Sequence, residues 1–339
     1  MLKLIEKILE WLRGGTLRLL ILAGVILAIW GTLSPLGTLV WWLTQAETLD
    51  LKRSQAPQLP PRNDSNAGGK PKNLNCYIVF LTGVGDFSTN ELTEGEEVFL
   101  RGLSQTHPNC AVVKDVFPYS AANENLGGER LLAPMWRFAN EAEGWLGIAD
   151  VLIKIRNLWR FAISADERYG PVYNQGIASA IAEQMNAANP LPPADSQRQP
   201  LEIVLIGTSG GAQVALGATQ YLDQWLNAEI VVVSVGGVFG GVVGFDQADR
   251  VFHLRGDADW IENIGGILFP ARWLWTVTSP FNRARQQGRY QSVDSGPHAH
   301  DGAQGYFGRD QVGATNATYV DLTLKAINQL PIWQHKSQQ

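Results

Sequence analysis

Hydrophobic positions fall into three regimes along the chain. From Leu19 to Gln45 apolar residues run on with no charge among them, as "LLILAGVILAIWGTLSPLGTLVWWLTQ". From Leu74 onward, short apolar runs alternate with longer stretches whose apolar residues recur every three or four positions. Residues 54–73, "SQAPQLPPRNDSNAGGKPKN", follow neither pattern. The short runs predict strands buried on both faces, over 77–81, 111–117, 203–206, 230–235 and 251–254. The periodic stretches predict helices over 91–103, 173–188, 212–226 and 317–330. This alternation implies an α/β domain with a mainly parallel sheet covered by helices on both faces.

Residues 127–166 break the rhythm with two helical stretches. In the second, Ile148, Val151, Leu152, Ile155, Trp159 and Ala162 share one stripe, with Lys154, Arg156 and Arg160 off it. The stripe fits a helix on the core, a cap over an active site or a surface resting on a bilayer. A cap insertion is the reading taken forward.

The uncharged run is long enough, as a helix, to cross a hydrocarbon core of about 30 Å. Trp41 and Trp42 fall where an interfacial belt would put them, and Pro35 is tolerable in a membrane helix. A secretory signal peptide has a shorter apolar region, of about 7–15 residues. Residues 1–53 are therefore expected to form an anchor with a transmembrane helix over about 19–43, and 54–73 a linker. The domain is expected over 74–330, with the cap at 127–166 and a tail at 331–339. Lys3, Lys7, Arg13 and Arg18 precede the span and only Lys52 and Arg53 closely follow it. That bias favours a cytoplasmic N-terminus and a domain on the far side.

Composition narrows the classes further. The chain has 339 residues, 45 % of them hydrophobic, enough for a large core, and a net charge of −5. Its first 53 residues hold +2, so the body is acidic and carries no footprint for nucleic acid. Cys76 and Cys110 have no metal-ligand spacing. Each opens a predicted strand, so a disulfide is open to them if those strands are neighbours. Two small buried apolar residues is the preferred reading.

Candidate chemistry begins at "LIGTSGGAQV", residues 205–214. A serine among glycines at a strand-to-helix junction is either a turn residue or a nucleophile. A serine hydroxyl needs exposure and a base. A sharp turn at a strand's carboxyl end gives exposure, provided that the residues two places either side are small, as Gly207 and Gly211 are. The Gly210 N–H, near the positive end of the next helix, would then face a reacting carbonyl oxygen.

In this strand–turn–helix context, over residues 74–330, the sequence resembles the α/β-hydrolase superfamily of esterases and lipases. The resemblance implies an acid after a later strand and a histidine nearer the C-terminus. "VFHLRGDADWI" supplies Asp259, three places after Gly256, with Asp257 as fallback. "SGPHAHDGAQGYF" supplies His300, ahead of Gly305-Tyr306, with His298 as fallback. A second oxyanion donor is expected from the loop after the first strand, in "VFLTGVGDFS". Val84, between Gly83 and Gly85, is the candidate; many relatives have a histidine where this chain has Thr82. The implied roles are Ser209 as nucleophile, His300 as base, Asp259 as its orienter, and the N–H groups of Gly210 and Val84 as the oxyanion hole.

Blander readings exist for each piece. Asp257 and Asp259 could cap a helix. His298, His300 and Asp301 could be a metal motif, but no second ligand cluster accompanies them, so no metal or other cofactor is expected. The pairs Gly236-Gly237 and Gly240-Gly241 lack phosphate-loop spacing and read as a flexible rim or a close backbone approach. The expected function is a membrane-anchored serine hydrolase acting on a carboxylic ester, with a lipid or another apolar acyl ester as substrate and the bilayer as partner. Thioesterase, acyltransferase and amide hydrolase share this chemistry, and a non-catalytic tethered scaffold is the alternative of another class.

Overall fold

The computed structural model describes residues 74–84, 92–119, 157–192 and 200–333. The predicted anchor, the linker, Gly85 and most of the cap insertion lie outside these residues. Among the described residues, no helix is long and apolar enough to cross a membrane.

Among the described residues six strands form one sheet: β1 (Cys76–Leu81), β2 (Cys110–Val116), β3 (Leu201–Thr208), β4 (Ala228–Val235), β5 (Arg250–Gly256) and β6 (Tyr290–Gly296). Every pairing is parallel, in the order β2-β1-β3-β4-β5-β6. The protein is thus of the α/β class. The chain enters at β1, steps out to the β2 edge, then returns past β1 to build β3 to β6. Strand order therefore reverses between β1 and β3, and open parallel sheets bind ligands at the carboxyl ends beside such a switch point.

Alternation along the central strands makes two cores. Tyr77, Val79 and Leu81 face one side with Ile203 and Leu205. They pack against helices α3 (Gly170–Ala188) and α4 (Gly211–Trp225) through Ile177, Ile181, Leu216 and Leu222. Ile78, Phe80, Val204 and Ile206 face the other side. There α1 (Glu94–Thr106) and α7 (Tyr319–Asn328) contribute Phe99, Leu103, Val320 and Ile327. Full burial of such a side chain is worth about 1.5–3 kcal/mol, so both layers hold the sheet firmly. The body runs past 330, since Ile332 and Trp333 pack on this second core and Trp333 stacks on His107.

Helix starts follow their caps. Thr93 and Glu96 form a capping box, which starts α1 at Glu94 rather than at 91. Pro171 sits in the first turn of α3 and allows it to begin at Gly170.

Two expectations are corrected. Cys76 and Cys110 are disulfide-bonded rather than free. They are direct partners in the β1–β2 register, which sets their Cα atoms 4.4 Å apart. Ile148, Val151, Leu152 and Ile155 of the predicted stripe lie outside the described residues; in helix α2 (157–165) Trp159 is half-buried and Ala162 exposed, while Asn157, Arg160 and Ser164 are buried. Polar groups prevail there because backbone carbonyls need donors. Arg160 donates to Tyr119 O (2.9 Å) and Asn157 to Val84 O (3.0 Å), while Ser164 donates to Asn174 Oδ1 (2.7 Å).

Candidate active site

Ser209 and Gly210 are the whole connection between β3 and α4. So short a link forces Ser209 to φ 49°, the one positive value at a non-glycine among the described residues. The left-handed region costs an L-residue about 1–2 kcal/mol. Hydrogen bonds maintain it: Ser209 N–H donates to Val235 O (3.1 Å), and Ser209 O accepts from Val238 N (3.1 Å). The small neighbours are sterically required. A Cβ on Gly207 would lie 2.5 Å from the backbone of Gly211 and Ala212, and one on Gly211 would overlap Leu81 O.

The hydroxyl so presented meets a base. His300 Nε2 lies 2.9 Å from Ser209 Oγ, and Nδ1 lies 2.9 and 3.0 Å from the two oxygens of Asp259. Burial alone pushes the Asp259 carboxyl up. The hydrogen bond and charge of His300, then the Tyr306 hydroxyl and the Glu262 amide, outweigh burial and hold it below its ordinary 3.8. Asp259 is thus a carboxylate and cannot donate, so Nδ1 carries the imidazole proton and Nε2 accepts from Ser209.

Asp259 is fully buried, with donors on every side. Ile261 N (2.9 Å) and Glu262 N (3.3 Å) donate to Oδ1, and Tyr306 Oη (3.0 Å) donates to Oδ2. Burial, then the charge of Asp259, raises the Tyr306 phenol, which keeps it a neutral donor. Ile261 precedes helix α5 (Glu262–Leu268) and Glu262 opens it, so Asp259 meets both the start of that helix and His300. The acid and histidine loops are laced by backbone: Asp257 N donates to Gly296 O (3.0 Å) and Ala258 N to His298 O (3.1 Å). Ala299 N donates to Gln304 O (2.9 Å), which closes the histidine loop on itself.

The fallback residues stand elsewhere. Asp257 is exposed. His298 is fully buried, stacked on Tyr306 with ring centroids 4.8 Å apart, and its Nε2 donates to Ser295 O (2.9 Å). Burial pushes His298 below the usual histidine value, so it stays neutral as a wedge behind the acid. Among the described residues no three His, Cys, Asp or Glu side chains converge as a metal would require.

The two oxyanion candidates are neighbours. A Cβ on Gly210 would overlap Val84 Cγ2, and one on Gly83 would lie 2.9 Å from Ser209 Cβ. Val84 is held through its carbonyl by Asn157, and Gly210 through its carbonyl by Tyr119 Oη at 2.8 Å. The glycine pair at 236–237 is a close backbone approach. Gly236, at φ 53°, comes against Tyr306 and Asp259 Oδ2, and Gly237 against Ser234.

Tyr119, Asn157 and the hydroxyl role of Tyr306 escape sequence reasoning. Tyr119 and Asn157 reach carbonyls 91 and 73 residues away, and nothing local in the chain marks such contacts. The Gly305-Tyr306 pair marks Tyr306 in the sequence as part of the histidine loop, not as a donor to Asp259.

The whole is a hydrogen-bonded serine, histidine and aspartate at the carboxyl end of a parallel α/β sheet. Neither a protein-family model, nor a curated protein, nor a solved structure matches the chain.

Proposed function

We propose that this chain is a serine hydrolase of the α/β-hydrolase type, tethered to a membrane and acting on carboxylic esters. The observation that carries the reading is the continuous Ser209–His300–Asp259 line, with Ser209 at the strained tip of the β3–α4 turn.

The chemistry follows from that line. As Ser209 Oγ attacks the ester carbonyl, its proton passes to His300 Nε2, and Asp259 stabilises the resulting imidazolium through Nδ1–H. The carbonyl oxygen gains negative charge beside the backbone N–H groups of Gly210 and Val84. Collapse breaks the ester C–O bond, and His300 returns the proton to the leaving alcohol. Water, deprotonated by His300, then attacks the acyl-enzyme and releases the acid and free Ser209. A thiol ester, or an acceptor alcohol in place of water, would use the same groups.

The uncharged run Leu19–Gln45 supports the tether and makes a lipid or another apolar acyl ester the favoured substrate class. The Cys76–Cys110 disulfide supports a domain in an oxidising, non-cytoplasmic compartment, as does the excess of basic residues before the run.

Fluorophosphonate labelling of the purified full chain tests the reading. Wild type is expected to label, Ser209→Ala not at all and His300→Ala only marginally, while folded His298→Ala keeps labelling. A folded wild-type protein that does not label would instead be a scaffold with a hydrolase-like turn.

A further inference from the structure

Large apolar side chains crowd one exposed stretch just after the acid. Trp260, Ile267, Leu268, Leu274, Trp275 and Val277 are all more than half exposed, Trp260 at 70 % and Trp275 at 74 %. Folded soluble surfaces rarely leave so many together unless something covers them. The stretch is held rigidly. Trp273 Nε1 donates to Ile267 O (3.3 Å) and Thr276 Oγ1 to Trp273 O (2.7 Å). Asn282, fully buried in α6 (Pro280–Gln286), donates to Trp273 O (2.8 Å) and Thr276 O (2.9 Å). These side chains are therefore displayed by a hydrogen-bonded frame.

The surface borders the site on two sides. Trp260 directly follows Asp259. On the other side, Phe269 packs edge-on against Phe161 (6.1 Å between centroids), and Phe161 in turn faces Gly210. Apolar contact thus runs from the exposed patch to the oxyanion side of Ser209.

Composition identifies what covers it. From Asn263 to Val293 there is no acidic residue. The arginines of that stretch mostly serve the fold: Arg272 lies over Phe239, Arg283 pairs with Asp246 (2.7 Å) and Arg289 donates to Phe245 O and Ala248 O. The exposed face is thus apolar and tryptophan-bearing, which suits the interface between acyl chains and headgroups. The uncharged run Leu19–Gln45 belongs to the same chain.

We propose that residues 260–277 form a membrane-docking surface that seats the mouth of the site on the bilayer. Docking stands on this geometry. Its consequence, that acyl substrate enters laterally from the lipid along Phe269 and Phe161, rests on the hydrolase reading.

The test uses the full chain in vesicles of phosphatidylcholine with about 30 % phosphatidylglycerol. The disulfide occupies both native cysteines, so Leu274→Cys and, separately, Gln105→Cys can each take one environment-sensitive fluorophore. Gln105 is exposed near the end of α1, just before β2, and so at the amino ends of the strands, opposite Ser209. The label at 274 is expected to shift to the blue and to be quenched about twofold by nitroxide-bearing lipid, with the label at 105 unaffected. A label at 274 that stays in water overturns the proposal. So does one that is shielded yet not quenched by lipid, because protein, either this chain or a second copy, then covers the patch.

In the same vesicles, Leu274→Ser with Trp275→Ser is expected to lower hydrolysis of a bilayer-borne ester about tenfold and to spare a soluble short-chain ester. Equal loss on both substrates overturns lateral entry. No hydrolysis by wild type defeats the hydrolase reading alone, since the quenching result still decides docking.

Discussion

Replacing Ser209 with glycine should abolish acylation and yet leave a more stable fold than replacing it with alanine. Both changes remove Oγ and its 2.9 Å hydrogen bond to His300, so the pair differs in the backbone. Alanine at φ 49° keeps the cost of a left-handed L-residue, about 1–2 kcal/mol. Glycine escapes that cost but loses about 0.5–1 kcal/mol to its greater freedom when unfolded. Glycine should lead by roughly 0.5–1 kcal/mol, or about 1–4 °C in Tm for a domain of this size. Thermal unfolding of the two variants in one detergent, followed by near-ultraviolet circular dichroism, measures the gap. Fluorophosphonate labelling alongside should be absent from both. At an ordinary strand or helix position the order reverses. A Ser209→Gly variant melting at or below Ser209→Ala would therefore refute the claim that Ser209 is held under backbone strain.

Gly207→Ala puts a methyl 2.5 Å from backbone that cannot yield, so it should lower stability by about 1–3 kcal/mol and slow labelling about 100-fold or more. Gly210→Ala first meets side chains, those of Val84, Tyr119 and Phe161, and should cost less in the same two measurements. Tyr306→Phe keeps the ring stacked on His298 but takes one donor from the Asp259 carboxylate, and should cost about 1.5–3 kcal/mol at neutral pH. Asp259 is depressed in the fold, so its contribution is full above the ordinary carboxylate range and lost as pH falls through its folded value. The gap between Tyr306→Phe and wild type should therefore narrow in melts below about pH 4. Reducing the disulfide, which spans 34 positions of chain, should lower stability by about 2–4 kcal/mol, read as a lower Tm in reductant.

Where elements are strongly patterned, the sequence foretells them. The β-branched and aliphatic runs at 203–206 and 230–235 mark β3 and β4, because central parallel strands are buried on both faces. The glycines around Ser209, the spacing from Gly256 to Asp259 and the loop at His300 point to the three residues that the fold brings together. Edge strand β6, "YQSVDSG", leaves no such mark, since only Ser295 among its residues is buried. Helices α5 and α6, at seven residues each, are too short for a period to show. The disulfide depends on β2 lying beside β1, a matter of strand order that no local pattern encodes. The buried face of α2 misleads for a different reason: Asn157 and Arg160 serve carbonyls of distant loops, so polarity there signals burial.

The bond between Cys76 and Cys110 also bears on how the domain takes a mechanical load. Everything N-terminal to Leu74 is covalently continuous with β1, so tension along that leader enters the fold at Cys76. The cross-link passes part of that force straight to the head of β2, while β3 shares the rest through its ladder with β1. A pull directed along the strands is then carried by three of them together, since β1 is bonded to β3 on one side and linked to β2 on the other. The load enters at the amino ends of the strands, while Ser209 sits beyond their carboxyl ends.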